Sequence, residues 1–241
     1  MPNRFDVHMH THYSFDSLIQ PKQLVKQAMK LNLNLIIVTD HNTIRGALKT
    51  KGLADKSSLT VVVGAEIATN LGDVIGFFLS DEIESREYNA VIEEIRAQNG
   101  VVYLPHPFSS STKLAEMDVR KFDAIEAVNG RKPQWQNKKA GELVVEIGTT
   151  GIGGSDTHLL FELGCVYNQT ETPLENEDAL RELITNRDFQ IIQNPLSPRI
   201  IPVVRVNHYL SWIRAKKYGK FLERSRSMVQ KIAYKIGRGG S

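Results

Sequence analysis

Six of the seven histidines, at positions 8, 10, 12, 41, 106 and 158, stand at or just beyond the C-terminal ends of short apolar runs, and several have an acid close by. The segments are His8-Met9-His10, Thr39-Asp40-His41-Asn42, Gly64-Ala65-Glu66, Leu104-Pro105-His106-Pro107 and Gly153-Gly154-Ser155-Asp156-Thr157-His158. Imidazole mixed with carboxylate suits Zn, Mn or Fe better than Ca or Mg. A carboxylate can bridge two metals, so several acids among the histidines point to more than one ion. Two or three ions a few Å apart generate hydroxide near neutral pH and clamp the attacking and leaving oxygens of a phosphate ester. Phosphoester hydrolysis is the reaction class that follows.

Something must bring these segments together. β-branched and apolar runs at 5–8, 35–39, 59–64, 73–79, 101–104, 124–128, 151–154 and 164–167 read as strands. Between several of them apolar residues recur at helical spacing. Leu24, Val25, Ala28 and Leu31 are one set, Val91, Ile92 and Ile95 a second, and Ala179, Leu180, Leu183 and Ile184 a third. Alternating strands and helices predict parallel strands with right-handed crossovers. Seven or eight such units in about 200 residues predict an α/β fold with a closed or nearly closed barrel, whose strand C-termini converge on one face. His8 and His10, two apart, point to the same side of their strand. The segment Asn194-Pro195-Leu196-Ser197-Pro198 interrupts regular structure, so the expected domains are a barrel over 1–194 and an extension over 195–241.

Composition closes off other classes. Among 241 residues, 41% are hydrophobic and 24% charged, which argues against disorder or a fibrous rod. The single Cys165 excludes an intrachain disulfide framework and a multi-cysteine zinc site. No apolar run reaches the roughly 18 residues of a transmembrane helix, and residues 1–6 contain no apolar leader core; the expectation is a cytoplasmic protein. Charge is uneven. Residues 205–241 hold ten Lys/Arg and one acid, leaving 20 basic and 26 acidic side chains, a net of −6, in the first 204. Val206, Tyr209, Leu210 and Ile213, then Phe221, Leu222, Val229, Ile232 and Ile236, form an apolar stripe in this basic C-terminal tail. The stripe is expected to pack on the barrel with the Lys and Arg solvated. Contact with nucleic-acid phosphate or an anionic membrane is the other reading.

The segment running from His8 through His10 and Ser14 to Asp16 and Ser17 resembles the opening motif of the PHP (polymerase and histidinol phosphatase) superfamily. Thr39-Asp40-His41-Asn42, Gly64-Ala65-Glu66, His106-Pro107 and Gly154-Ser155-Asp156-Thr157-His158 resemble its later motifs in order, and the likeness covers about residues 4–168. The resemblance implies a distorted (β/α)7 barrel with up to three metal ions at the C-terminal ends of the strands. It also implies a ligand set: His8, His10, Glu66 and Asp156 for one ion, Glu66 bridging to a second shared with His106, and Asp16, His41 and His158 for a third. The sequence departs from the family pattern at Asp73, which stands where many members carry a histidine. A carboxylate there can still be a ligand and leans the site from Zn toward Mn or Fe.

Neighbouring residues have plainer readings. His12 is expected to be a hydrogen-bonded structural residue, and Asp40 an acid that orients or caps. Arg131, in Glu126-Ala127-Val128-Asn129-Gly130-Arg131, is a candidate for bidentate contact with phosphate and equally a surface cation beside Lys132; Lys113 is a weaker candidate. His158 or a metal-bound water is expected to protonate the leaving oxygen. The function expected is hydrolysis of small phosphomonoesters, nucleotide-like or histidinol-phosphate-like, with two or three divalent ions of Mn, Fe or Zn. A nuclease trimming oligonucleotide ends, its strand held by the basic tail, and a non-catalytic metal-binding regulatory module are the alternatives.

Overall fold

The structure is a computed structural model, and it describes residues 2–194 together with Val206 and Leu210. The expected tail helix and the extension 195–241 otherwise lie outside the described residues. Every element below belongs to the first of two compact units, Met1–Leu196. Among the described residues no helix is long and apolar enough to cross a membrane.

One sheet contains β1 (Asn3–Asp6), β2 (Leu35–Val38), β3 (Thr60–Ala68), β4 (Asp73–Phe77), β5 (Val101–Leu104), β6 (Ala124–Asn129), β7 (Thr150–Gly154), β8 (Val166–Thr170) and β9 (Gln190–Gln193), in the order β7-β6-β5-β4-β3-β2-β1-β8-β9. Helices α1 (Pro21–Lys30), α2 (Arg45–Ala54), α3 (Tyr88–Ala97), α4 (Gln134–Ile147) and α5 (Glu177–Asn186) lie between them. The parallel pairs are β1 with β2, β2 with β3, β5 with β6 and β6 with β7. The sequence expectation of an all-parallel sheet fails at two strands, β4 and β8. β4 runs antiparallel to β3 and β5, because the tight turn closed by Thr69 N–H donating to Gly72 O (2.9 Å) is too short for a crossover. β8 pairs antiparallel with β1 and β9. The short β9, two isoleucines between glutamines, escaped the sequence reading.

The central strands are buried on both faces, and their alternation explains how. Leu35 and Ile37 of β2 join Phe5, Val62, Ile75, Tyr103 and Ile152 in one cluster inside the barrel. Ile36 and Val38 join Leu24, Ala47, Val61, Val63 and Ile95 under the helices. Leu180, Leu183 and Ile184 of α5 belong to the interior cluster. Thr150 at the start of β7 donates to Ile184 O (2.7 Å), and Thr60 at the start of β3 donates to Leu174 O (3.3 Å). The segment around α5 therefore floors the barrel at the strand N-termini and leaves the other end to polar groups.

Closure of the barrel does not rest on an ordinary ladder. The Asn168 side chain on β8 accepts from Gly153 N (2.9 Å) and donates to Gly153 O (2.8 Å) of β7. It also donates to Phe5 O (3.3 Å) of β1. Nearer the open end the chain beyond β1 meets the chain beyond β7 directly. Met9 bridges Thr157, and His10 N donates to Thr157 O (2.8 Å).

Tyr88, at the start of α3, is 2% exposed and its hydroxyl donates to Asp118 O (3.1 Å). Burial, helped by Asp118, pushes its phenol up to about 12. A group raised in the folded state stabilises the fold fully below its unfolded value near 10 and loses that contribution as pH climbs through 12. The urea midpoint of the protein should therefore fall between pH 10 and 12, by about 2 kcal/mol of stability from this group. Tyr88→Phe should flatten the fall, which a pH series of urea melts on the two proteins will check.

Candidate metal centre

The open end collects the histidines and acids. His8 and His10 follow β1, Asp40 and His41 follow β2, and Glu66 lies within β3. Asp73 opens β4, which runs back from the same end. His106 follows β5, Glu126 and Asn129 lie on β6, and Asp156 and His158 follow β7. Three groups offer ligand atoms that converge within 4.8 Å: His8, Glu66 and His106; His8, His10 and Asp156; and His10, Asp16, His41 and His158. Eight of the nine ligand candidates are thus brought together. Asp73 enters none of the groups, although Glu66, His106 and His41 are near enough to act on its carboxyl.

Close backbone approach makes room for this packing. A Cβ on Gly154 would run into Glu126 Oε1 and the His8 side chain, and one on Gly46 would overlap Asp40 Oδ2 and Thr11 Oγ1. His106 and Asp156 hold left-handed backbone conformations, at φ 27° and 55°, which β-carbon residues adopt at a cost. The His106 turn is secured by its own N–H donating to Glu126 Oε2 (2.7 Å).

Hydrogen bonds set the tautomers. His8 Nδ1 lies 2.8 Å from Glu126 Oε1 and His158 Nδ1 lies 2.8 Å from the Asp156 carbonyl, so both nitrogens are donors. Ser14 Oγ donates to Asp40 Oδ1 (3.1 Å) and lies 3.2 Å from His10 Nδ1, which makes that nitrogen a donor too. Asp40, itself held by Thr11 N and Thr11 Oγ1 (2.6 Å each), orients His10 through Ser14, as its sequence reading anticipates. The Nε2 lone pairs of His8, His10 and His158 are left facing carboxylate oxygens. His8 Nε2 is 3.4 Å and His10 Nε2 3.3 Å from Glu66 Oε2, and His158 Nε2 is 2.9 Å from Asp16 Oδ2. His10 Nε2 and His106 Nδ1 are buried with no hydrogen-bond partner. A lone pair facing a carboxylate in a buried site takes up either a proton or a cation between them, and the donor set of imidazole and carboxylate fits divalent transition ions.

The electrostatics show the pull on such a proton. Burial opposes ionisation of Asp16, Glu66 and Asp156, yet neighbouring imidazoles overcome it and hold all three carboxyls well below the usual range. Burial likewise disfavours a charged His8, but Glu126, Asp156 and Glu66 raise it well above its ordinary value, and Asp16 and Glu66 push His41 up to about 10. His158 goes the other way, down to about 4, because burial outweighs the opposing pull of Asp16 and Arg131 adds to it. Asp73 is raised by burial and then by Glu66.

Arg131 reaches the centre. Its Nε lies 3.2 Å from the buried Glu162 Oε1, and Glu162 Oε2 accepts from His158 N and Leu159 N at 2.7 Å each. Its charge helps hold down Asp156. His12 is exposed and stacks near Tyr13, outside the cluster, and Lys113 is exposed. Sequence reasoning missed Ser14, Glu162 and the roles of Glu126 and Asn129. Asn129 Nδ2 donates to Glu126 Oε2 (2.9 Å) and Asp156 Oδ2 (3.2 Å), while its Oδ1 accepts from Arg131 N (2.8 Å). The available signal was Glu126 itself, an acid inside an otherwise apolar strand.

The family model for the PHP domain matches residues 6–184. An uncharacterized protein of Methanocaldococcus jannaschii is 30% identical over 190 residues, 73% of this chain and 75% of that one. A 5′-3′ exoribonuclease of Haemophilus influenzae is 31% identical over 70 residues, 29% of this chain and 25% of that protein. In fold the chain is similar to a two-domain protein of Bacteroides vulgatus containing a predicted PHP-like metal-dependent phosphoesterase. The TM-score is 0.70 at 21% identity, over 80% of this chain and 65% of that one, so this chain spans a little less than two thirds of that protein.

Glu126→Gln should swap one acceptor oxygen for an amide facing either His8 Nδ1 or the donors of His106 and Asn129. Metal affinity is expected to drop about 10- to 100-fold with the fold retained. Calorimetric titration of metal-stripped protein, beside a circular dichroism spectrum, tests this; an unaltered affinity would show that Glu126 does not set the His8 tautomer.

Proposed function

From the membership of this chain in the PHP domain family, we propose that it is a metal-dependent phosphoesterase acting on small phosphomonoesters. The observation that carries the reading is the convergence of three ligand groups at the barrel mouth beside a pinned arginine. His8, His10, Glu66 and Asp156 would hold one ion, Glu66 and His106 a second with Asp73 drawn in, and Asp16, His41 and His158 a third. Bound there, Mn, Fe or Zn would supply hydroxide near neutral pH and neutralise charge on the phosphoryl oxygens.

The chain's own residues have definable parts. Glu126, Ser14 with Asp40, and the Asp156 carbonyl keep three imidazoles in the tautomer that offers Nε2. Arg131 spends Nε on Glu162, so the terminal guanidinium nitrogens are the ones to meet phosphate oxygens. His158 has no spare proton to give, because Nδ1 donates to Asp156 O and burial pushes the ring down to about 4, leaving the Nε2 lone pair toward Asp16, which favours its role as ligand over delivery of a proton to the leaving oxygen. The short match to an exoribonuclease supports a second reading, removal of nucleotides from a strand end by the same centre.

Metal-stripped protein should not hydrolyse a generic aryl phosphate, and added Mn, Fe or Zn should restore turnover. His8→Ala should lower the restored rate by more than the roughly 100-fold typical of losing an outer partner. Silence with every metal, on oligonucleotides as well, would leave a non-catalytic metal-binding module as the surviving reading. Arg131→Ala should cut kcat/KM roughly 10- to 100-fold, as expected when one charge-assisted contact is lost. Arg131→Lys should recover part of it, and steady-state kinetics on the three proteins is the check.

A further inference from the structure

We propose that the loop leaving β6, the first turns of α4 and Phe108 together form a seat for a single-stranded oligonucleotide leading into the metal centre. The inference rests on the phosphoesterase reading and develops the second of its two substrate forms, the strand.

Both segments leave the C-terminal ends of strands, so both lie on the mouth side of the barrel. Phe108 is two residues past His106, and α4 begins three residues past Arg131. Trp135, in the first turn of α4, is 56% exposed, an unusual placement for a large ring on a solvated helix. Lys139 stands four residues on, on the same helix face. Its Nζ lies 5.6 Å from the Trp135 ring centre and 5.8 Å from that of Phe108. The lysine thus joins an aromatic from the β5 loop to one from the β6 loop.

Charge runs along the same path. Residues 131–139 contain Arg131, Lys132, Lys138 and Lys139 and no acid. The row begins at the centre, since Lys132 is close enough to act on the Asp73 carboxyl. Further out, Lys138 has only a loose pairing with Glu142, at 3.9 Å with both side chains open to water, which counts for little. A small phosphate ester presents a single anionic group, which Arg131 and the ligand cluster already answer. Lys138 and the solvent-facing side of Trp135 would then have nothing to bind. A strand matches both features at once: successive phosphates meet the lysines, and bases of any sequence stack on the exposed Trp135 ring.

The test is fluorescence anisotropy with a short, dye-labelled, phosphorothioate-linked oligothymidylate, which resists cleavage. Trp135→Ala should bind it roughly tenfold more weakly, and Trp135→Phe, which keeps an aromatic face, should retain most of the affinity. The double variant Lys138→Ala/Lys139→Ala should reduce the slope of log Kd against log salt by about 1.4. Equal binding by Trp135→Ala and wild type, or a mononucleotide that binds as tightly as the strand, would overturn the seat. Aryl phosphate hydrolysis, measured separately, keeps the two readings apart. Turnover without Trp135-dependent strand binding sinks the seat alone, whereas Trp135-dependent binding without turnover under any metal sinks the phosphoesterase and leaves the seat standing.

Discussion

Glu66 is a carboxylate at 1% exposure, placed in the middle of the longest strand. An isolated ionised acid there would cost several kcal/mol. Four imidazoles answer it: His106 Nε2 at 3.0 Å, His10 Nε2 and His41 Nδ1 at 3.3 Å, and His8 Nε2 at 3.4 Å. These four come from the ends of three different strands, so compensating one buried charge requires a fold that brings strand ends together. His8 and His10 then take orienting partners of their own, which draws in Glu126, Ser14 and Asp40. The polar interior is a chain of obligations that starts from a single carboxylate.

The rest of the barrel works toward that end. Apolar side chains fill the interior up to the level of Val62, Ile75 and Tyr103, and α5 closes the far end, so water meets the polar layer from the mouth alone. Glycine at 154 lets β7 pass close behind His8. The left-handed turns at His106 and Asp156 show backbone strain held where ligand side chains must be aimed, which is where such strain usually collects.

Much of this was legible in the sequence because it depends on strand ends and residue type. Alternation placed His8 and His10 on one side, and the order of acid and histidine motifs identified the convergent face. Asp40 could be read as an orienting acid because it sits beside His41, a ligand candidate. The antiparallel turns of β4, β8 and β9 could not be read from period alone; a short loop such as 69–72 decides direction, not the pattern of the strand it enters. Glu162 was invisible for a different reason. It lies in a short 3-10 turn, and its value comes from a contact with Arg131 across 31 positions of chain. Asp73 illustrates the reverse case, in which motif position pointed to a ligand and the geometry keeps the side chain outside the converging groups.

The seam between β1 and β7 has a mechanical meaning. Below the mouth it is fastened by the Asn168 amide and by Ser155, whose N–H donates to Asp6 Oδ1 (3.1 Å) and whose hydroxyl donates to His8 O (3.2 Å), and at the mouth by the Met9–Thr157 bridge. Two of the three ligand groups straddle it, with His8 and His10 on one lip and Asp156 and His158 on the other. An ion seated there would act as a rivet through the two lips, where side-chain bonds and one bridge stand in place of a continuous ladder. Loading the centre would then also tighten the barrel along this line.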